Sequence, residues 1–317
     1  MHSSRSAGPG RPPVLTHPVN TRGFAWKQLA ARVLVVTLAA TALTVFVVPP
    51  ARADEAMVHY NLGLQLKREG KLPDAIAEVE KAIKARPTFA AAHFTLGNLW
   101  RAQGNYEKAA ASYETVVKLQ PKDAAAHGNL GAAYARLKRF DEGIKEMETA
   151  VELAPDDYEV RVSLGYAYRQ KGDFKSAITH LTKATELRPS EVSTWTNLGV
   201  AKIKAGDNEG AIIAFKKALV LNPSSGDLHF NLATVYRRQR DTDLAIAEYE
   251  VAVKHDPNLA KAYYDLGILY SQERRVDDAA KAFRTYLAVG TSEDAPSRKE
   301  AEERLKSLEA ASKPKKK

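Results

Sequence analysis

Residues 87–121, PTFAAAHFTLGNLWRAQGNYEKAAASYETVVKLQP, decide the fold of this chain. The apolar residues recur at helical spacing in two runs, one at Leu96, Leu99 and Trp100 and one at Ala109, Ala110, Tyr113 and Val117. Gly104 stands between the runs, where a residue with a left-handed backbone ends a helix at low conformational cost. The stretch therefore predicts two helices joined by a tight turn.

The two prolines that bound this stretch belong to a series with a period of 34 residues: Pro87, Pro121, Pro155, Pro189, Pro223 and Pro257. Leucine recurs with the same period at Leu62, Leu96, Leu130, Leu164, Leu198, Leu232 and Leu266. The next residue is Gly63, Gly97, Gly131, Gly165, Gly199, Ala233 or Gly267. A third series is always small: Ala75, Ala109, Gly143, Ala177, Ala211, Ala245 and Ala279. Small residues at fixed positions predict two helices that cross closely in every unit.

These series follow the pattern W-x2-L-G-x2-Y…A-x3-F…P, and residues 56–293 resemble the tetratricopeptide repeat (TPR) family. With each proline at position 32, the units begin at 56, 90, 124, 158, 192, 226 and 260. The resemblance implies an all-α fold, a right-handed superhelical solenoid of about seven helix–turn–helix units within residues 54–293. Residues 294–311 are expected to form a capping helix, because Ala301, Leu305 and Leu308 share one face, and residues 312–317 a basic tail.

Residues 1–53 have the features of an export signal. Lys27 and Arg32 precede an uncharged apolar stretch, residues 33–48, and Ala51-Arg52-Ala53 forms an A-x-A site. We predict a signal peptide that is cleaved after Ala53, so that the protein is periplasmic or secreted. The alternatives are an uncleaved inner-membrane anchor, although a span needs about 20 apolar residues, and a cytosolic leader.

Charge and composition exclude several classes of function. The net charge of +9 comes from the two ends, because residues 54–312 contain 37 basic and 38 acidic residues. A near-neutral body lacks the positive field that nucleic-acid binding needs. The chain has no cysteine, which excludes disulfides, thiolate nucleophiles and Cys-ligated metals.

Four histidines, His59, His93, His127 and His229, occupy position 4 of their units. Ligands of one zinc ion each lie about 2 Å from it, whereas stacked helices are roughly 10 Å apart. We therefore expect these histidines to pack or cap the first helix. The sequence contains no nucleophile–base pair or phosphate-binding loop outside the repeat pattern. We expect no enzyme activity, no cofactor and no metal.

The resemblance implies that positions 2, 5, 6, 9, 12 and 13 of each unit face a groove. Position 6 is polar throughout (Asn61, Thr95, Asn129, Ser163, Asn197, Asn231 and Asp265) and resembles, with interruptions, the asparagine ladder of O-linked N-acetylglucosamine transferases. Aromatic and basic residues accompany it. The predicted peptide-binding residues are Tyr60, Asn61, Phe94, Asn129, Arg136, Tyr166, Arg169, Asn197, Phe230, Asn231, Arg237, Arg238 and Tyr264. Simple solvation of the first helices is the alternative for these polar residues.

Together these features predict a non-catalytic scaffold of the cell envelope. Its groove would hold an extended protein or peptide segment with apolar and acidic residues. One alternative is a membrane-anchored spacer or a self-associating assembly factor, and another is an accessory to a glycosyltransferase. The membrane would be a partner only if the leader is not cleaved. The sequence determines neither the partner nor the oligomeric state.

Overall fold

The structure, a computed structural model, describes residues 50–290 and 295–312. The apolar stretch 33–48 lies outside the described residues, as do residues 313–317 of the predicted basic tail. Helix α1 begins at Pro50 and runs through the predicted cleavage site at residues 51–53, and cleavage stays a prediction. None of the helices in the described ranges is long and apolar enough to cross a membrane.

The described residues form fifteen helices and no strand. These are α1 (Pro50–Arg68), α2 (Leu72–Ala85), α3 (Ala90–Ala102), α4 (Tyr106–Leu119), α5 (Ala124–Arg136), α6 (Phe140–Leu153), α7 (Tyr158–Lys171), α8 (Phe174–Leu187), α9 (Val192–Lys204), α10 (Asn208–Leu221), α11 (Gly226–Gln239), α12 (Thr242–His255), α13 (Ala260–Gln272), α14 (Val276–Val289) and α15 (Ala295–Ser312). Helices α1–α14 are seven consecutive helix–turn–helix pairs, and each helix packs on the next. The predicted all-α repeat fold is confirmed.

In units 2 to 7, the first of the two helices begins at the predicted unit boundary, as α3 does at Ala90. Helix α1 begins earlier, at Pro50. The repeated proline follows the end of the second helix. Helix α2 ends at Ala85, the amide of Arg86 still donates to the carbonyl of Ala82, and Pro87 comes next. Proline therefore stops the second helix rather than opening the next unit.

The turn inside each unit has a left-handed residue at one position. Four units place glycine there, as at Gly104, where φ is 77°. The other three units place Lys138 (φ 61°), Arg240 (φ 64°) and Arg274 (φ 58°) at the equivalent position. The constant length of the turn imposes this conformation, since the residue type changes and the backbone does not.

Close crossing of the two helices in each unit explains the glycine series. A Cβ added at Gly97 would lie 2.6 Å from the ring of Tyr113, which is fully buried on α4. The same arrangement sets Gly199 against Phe215 and Gly267 against Phe283. Each of these units thus inserts one large buried side chain of its second helix against the glycine of its first. At the end of the array α15 packs on α14.

Candidate functional site

The first helices of neighbouring units contact each other directly, α5 with α7 and α7 with α9. A cavity of about 380 Å³ lies on this row across units 2 to 4, and its lining includes Arg101, Tyr106, Ala132, Arg136, Val162 and Tyr166. A second cavity of about 390 Å³ shares Arg101, Ala132 and Ser163 with the first, and Asn129 also lines it. The two cavities form one depression, which we call the central hollow.

Arginine and tyrosine side chains give the central hollow its chemistry. Tyr166 is 43% exposed and lies edge-on to Phe140, with ring centroids 6.4 Å apart. The guanidinium of Arg136 stands 5.1 Å from the centre of the Tyr106 ring. Among the described residues neither Arg101 nor Arg136 has a carboxylate within ion-pair distance. The hollow therefore offers two cations beside two aromatic rings. Two carboxylates also line it, but Asp157 accepts a hydrogen bond from the amide of Val160 and Glu159 pairs with Arg188.

The predicted asparagine ladder is uneven in the structure. The side-chain amide of Asn129 donates to the carbonyl of Ala125 on its own helix, at 2.8 Å. Thr95 shares a hydrogen bond of 3.2 Å with the hydroxyl of Tyr60. Asn61 is exposed, and the two further predicted rungs, Asn197 and Asn231, are half-buried. The rungs are not equally free to bind a peptide backbone.

At the last rung, Asp265 replaces asparagine. Its carboxylate lies 3.4 Å from the guanidinium of Arg237 and accepts a hydrogen bond of 3.1 Å from the hydroxyl of Tyr249. Burial raises the pKa of Asp265, and Arg237 and Tyr249 oppose that shift. Arg237 is thus a partner of an internal carboxylate, although it is exposed, as Arg238 beside it is.

The aromatic residues predicted at position 5 pack between helices and do not line the central hollow. Phe94 lies 5.7 Å from Tyr113, Phe230 lies 5.5 Å from Tyr249, and Tyr264 lies 6.1 Å from Phe283. The hydroxyl of Tyr264 also donates to Glu300 of α15 at 2.8 Å. All three are half-buried, as is Tyr60.

The structure therefore brings together only part of the predicted set. Asn129, Arg136 and Tyr166 meet in the central hollow, and Arg169 adjoins it, 6.0 Å above the ring of Tyr166. Arg101 stands at position 12, which the resemblance places on the groove, although it was not among the residues selected as peptide-binding, and Tyr106 lies outside every groove position. Tyr106 is the first residue of α4, so a pattern restricted to first helices does not reach it.

The position-4 histidines connect helices. In His127, Nδ1 lies 2.7 Å from Glu146 of the same unit, and Nε2 lies 3.0 Å from the carbonyl of Pro121 in the preceding unit. His229 repeats both contacts, while Trp195 donates to the carbonyl of Pro189. The imidazole ring therefore joins the first helix to the second helix of its own unit and to the end of the preceding unit.

The described residues contain no group of three or more His, Cys, Asp or Glu side chains placed to hold a metal ion. The recurrent chemistry of position 4 is a hydrogen bond between units, which Arg161 also makes to the carbonyl of Pro155 at 2.8 Å. An arginine or tryptophan in this place cannot ligate zinc, so the position works as a structural connector.

Comparison with protein families matches the chain to tetratricopeptide repeats. One such family covers residues 60–114, 101–158 and 230–297. A TPR repeat family covers residues 165–206, and a further tetratricopeptide repeat covers residues 192–225. No curated protein matches the chain.

Several solved structures share the fold. The C-terminal part of a TPR repeat-containing protein from Cytophaga hutchinsonii is 19% identical with a TM-score of 0.66, over 78% of this chain and 99% of that chain. YrrB, a TPR protein with an unusual peptide-binding site, is 21% identical with a TM-score of 0.54, over 58% and 95%. MamA from Desulfovibrio magneticus RS-1 is 24% identical with a TM-score of 0.52, over 54% and 97%. At these identities the likeness establishes the shared repeat fold.

Proposed function

Because the chain belongs to the tetratricopeptide repeat family, we propose that it is a non-catalytic scaffold that holds an extended protein segment in its central hollow. The observation that carries the proposal is the pair of arginines, Arg101 and Arg136, beside the exposed ring of Tyr166. One structural neighbour, YrrB, is a TPR protein with a peptide-binding site, which adds support.

The lining defines the chemistry of the bound segment. Val162 and Tyr166 provide apolar contact for one side chain. Arg101 and Arg136 approach from α3 and α5, and a guanidinium binds a carboxylate through two parallel hydrogen bonds. We therefore propose a ligand with an apolar or aromatic residue close to one or two acidic residues.

The cellular setting is a further part of the proposal. The apolar stretch 33–48 and the A-x-A site at 51–53 support export, with the repeats working in the cell envelope. A membrane-anchored spacer is the second candidate for the same leader. The accessory role to a glycosyltransferase rests on the asparagine ladder alone, and two of its seven rungs, Thr95 and Asp265, are engaged with tyrosines.

A selection of random 12-residue peptides displayed on phage would test the binding proposal. Enriched peptides are then synthesised and their affinity for the purified protein is measured by fluorescence anisotropy. We expect enrichment of sequences that combine aromatic and acidic residues. Arg101→Glu with Arg136→Glu should weaken their binding at least about tenfold, because both charge-assisted contacts become repulsive.

A matched control keeps the charge change and moves it away from the hollow. Lys118→Glu with Lys122→Glu alters two exposed lysines, one in the last turn of α4 and one just after it, and should leave peptide affinity unchanged. Equal affinity of the enriched peptides for the wild type and the Arg101/Arg136 variant would refute binding in the central hollow. An equal loss of peptide affinity in both variants would show that binding depends only on the net charge of the protein.

A further inference from the structure

The outer face of the second helices differs between units. Positions 19, 22, 26 and 29 of a unit lie on one stripe of its second helix, since they are spaced by three or four residues. In units 1 to 4 and 7 this stripe contains only charged, hydroxyl or alanine side chains: Asp74, Ala77, Lys81 and Lys84; Lys108, Ala111, Thr115 and Lys118; Glu142, Lys145, Thr149 and Glu152; Ser176, Thr179, Lys183 and Glu186; Asp278, Lys281, Thr285 and Ala288. Large apolar residues enter it in units 5 and 6: Gly210, Ile213, Lys217 and Val220; Leu244, Ala247, Val251 and Lys254.

Three of these apolar residues are exposed to solvent. The exposed fraction is 61% for Ile213, 80% for Val220 and 45% for Leu244. The core of α10 is already supplied by its opposite face, where Ala211, Phe215 and others are fully buried. Three large exposed apolar residues on the second helices of two consecutive units exceed the single apolar residues that are normal on a protein surface. We call the outer stripe of α10 and α12, defined by the eight residues given above for units 5 and 6, the apolar patch.

The leucines that are exposed at the ends of second helices are a different case. Leu119, Leu153 and Leu221 are 37%, 41% and 40% exposed, and all three occupy position 30, the last residue of a second helix. Their exposure is a property of the repeat. Ile213 and Val220, by contrast, stand where the other units have charged, hydroxyl or alanine side chains, so the repeat does not account for them.

Charges of both signs stand on the α10 side of the apolar patch. Glu209 and Lys217 lie eight residues apart on α10, with Ile213 midway between them, and all three are exposed. Within the described residues neither Glu209 nor Lys217 forms an ion pair. The ammonium of the neighbouring Lys216 stands 5.9 Å from the ring of Tyr236. An antiparallel copy of α10 centred on Ile213 would therefore set each Glu209 against a Lys217.

The α12 side of the patch has the same internal symmetry. Leu244 and Val251 lie seven residues apart, which is about two helical turns, and Ala247 stands between them. An antiparallel copy of α12 centred near Ala247 would set each Leu244 against a Val251. Ala247 occupies position 22 of its unit, as Ile213 does on α10, so one axis can serve both helices. A surface of this kind is complementary to itself after a two-fold rotation.

We propose that a second copy of this chain covers the apolar patch. The two-fold axis lies in the plane of contact, perpendicular to the helices, and passes Ile213 on α10 and Ala247 on α12. Two Glu209–Lys217 pairs then form, each about 6 Å along α10 from the axis. Ile213 loses its exposure against Ile213 of the second copy, and Val220 lies over the start of α10 of that copy.

An anionic bilayer is a poorer occupant of the patch. The exposed charges of α10 and α12 balance, with three acids and three lysines: Glu209, Asp243 and Glu250 against Lys216, Lys217 and Lys254. A balanced set gains little attraction from a negatively charged surface, which favours clusters of basic residues. Paired charges of both signs instead favour a protein surface with the same balance, which a second copy supplies.

The area of the apolar patch indicates how strongly the two copies should associate. Each of the two 14-residue helices is about 21 Å long and about 10 Å wide, so their outer faces together cover roughly 400 Å². Stable complexes bury about 800 Å² on each partner. The dimer is therefore weak and populated at micromolar concentrations.

Sedimentation velocity of the full chain, from about 1 to about 200 µM, tests the proposal. We expect a concentration-dependent dimer for the wild type. Ile213→Asp with Val220→Asp should weaken dimerisation at least about tenfold, because it places charges in the contact. The matched variant Ala111→Asp with Lys118→Asp changes the same two positions in unit 2 and should leave the dimer intact. Far-UV circular dichroism checks that each variant is folded.

Exchanging the charges of Glu209 and Lys217 provides a second test of the dimer. Glu209→Lys alone and Lys217→Glu alone should each weaken the dimer, and the double variant should restore it, because the exchanged pair is again complementary. A monomeric wild type over the whole range would overturn the proposal. A dimer that survives Ile213→Asp with Val220→Asp would also overturn it, since association would then use another part of the chain. Failure of the double exchange to restore the dimer would refute the two-fold arrangement.

Discussion

The crossing of α5 and α6 at Gly131 yields a sharp stability prediction. Gly131 of α5 faces Gly143 of α6, and a Cβ added at Gly131 would lie 2.6 Å from the backbone oxygen of Gly143. Gly131→Ala therefore brings a methyl group against main chain, which cannot rotate away. Restoring an ordinary contact of about 3.4 Å requires the helices to separate by about 0.8 Å.

Two opposing effects set the magnitude. Overpacking of a core costs about 1–3 kcal/mol, and a backbone obstacle belongs at the upper end. Alanine is a better helix former than glycine by about 1 kcal/mol. The net expectation for Gly131→Ala is a destabilisation of about 2 kcal/mol, or a melting temperature lower by about 4–8 °C for a cooperative unit of this size.

Thermal and urea unfolding followed by far-UV circular dichroism would measure this difference. The control is Gly210→Ala on α10, where the added Cβ meets the flexible side chains of Asp207 and Lys202. Asp207 caps α10 through the amide of Gly210, so displacing its side chain costs about 1 kcal/mol, which the gain in helix propensity offsets. Gly210→Ala should therefore be close to neutral. Gly131→Ala as stable as the wild type would refute the account of the glycine series as a close helix crossing.

Two further predictions concern the turns and the last rung of the ladder. Lys138 is exposed with a φ of 61°. Lys138→Gly should raise the urea midpoint by the equivalent of about 0.5–1 kcal/mol, because the cost of a left-handed backbone with a side chain exceeds the cost of the extra chain entropy of glycine. Gly104→Lys should lower the urea midpoint, although a Cβ at Gly104 would lie in open space. Burial raises the pKa of Asp265, so the folded state binds this proton more tightly than the unfolded state, and the stability that Asp265 contributes is lost as the pH rises through the folded pKa. Asp265→Asn should therefore be more stable than the wild type at neutral pH, and the difference in urea midpoints should shrink as the pH is lowered towards about 4; a difference that grows at low pH would contradict this sign.

The repeat fold was predictable because the same residue pattern recurs in seven units. The series Leu62 to Leu266 and the prolines from Pro87 to Pro257 place every unit, and the first helices from α3 onwards begin at the residues so obtained. The left-handed turns at Lys138, Arg240 and Arg274 escaped prediction. Residue type was the only signal used, whereas the turn length fixes the backbone.

The candidate site was less predictable, because contacts between units leave little trace in a single sequence. The ring of His127 contacts the backbone carbonyl of Pro121. Every residue has such a carbonyl, so the sequence does not show which one the histidine contacts. One signal was present: His59, His127 and His229 each have a glutamate 19 residues later, and these three pairs all form. Arg237 was assigned to the groove on charge alone, while its partner Asp265 comes from the next unit.

In a repeat protein, equivalent positions of different units can be compared with each other. This comparison distinguishes residues that pack from residues with another role. Residues that pack recur, as the large side chains facing the glycine series do in unit after unit. A residue that departs from its counterparts and stays exposed needs another explanation. Tyr166 departs in this way on the first helices, and Ile213 and Val220 do so on the outer face of α10. The two departures lie on different helices of different units, the hollow in units 2 to 4 and the apolar patch in units 5 and 6. A protein segment in the hollow would therefore not compete with a second copy on the patch, and dimerisation would present two hollows on one particle.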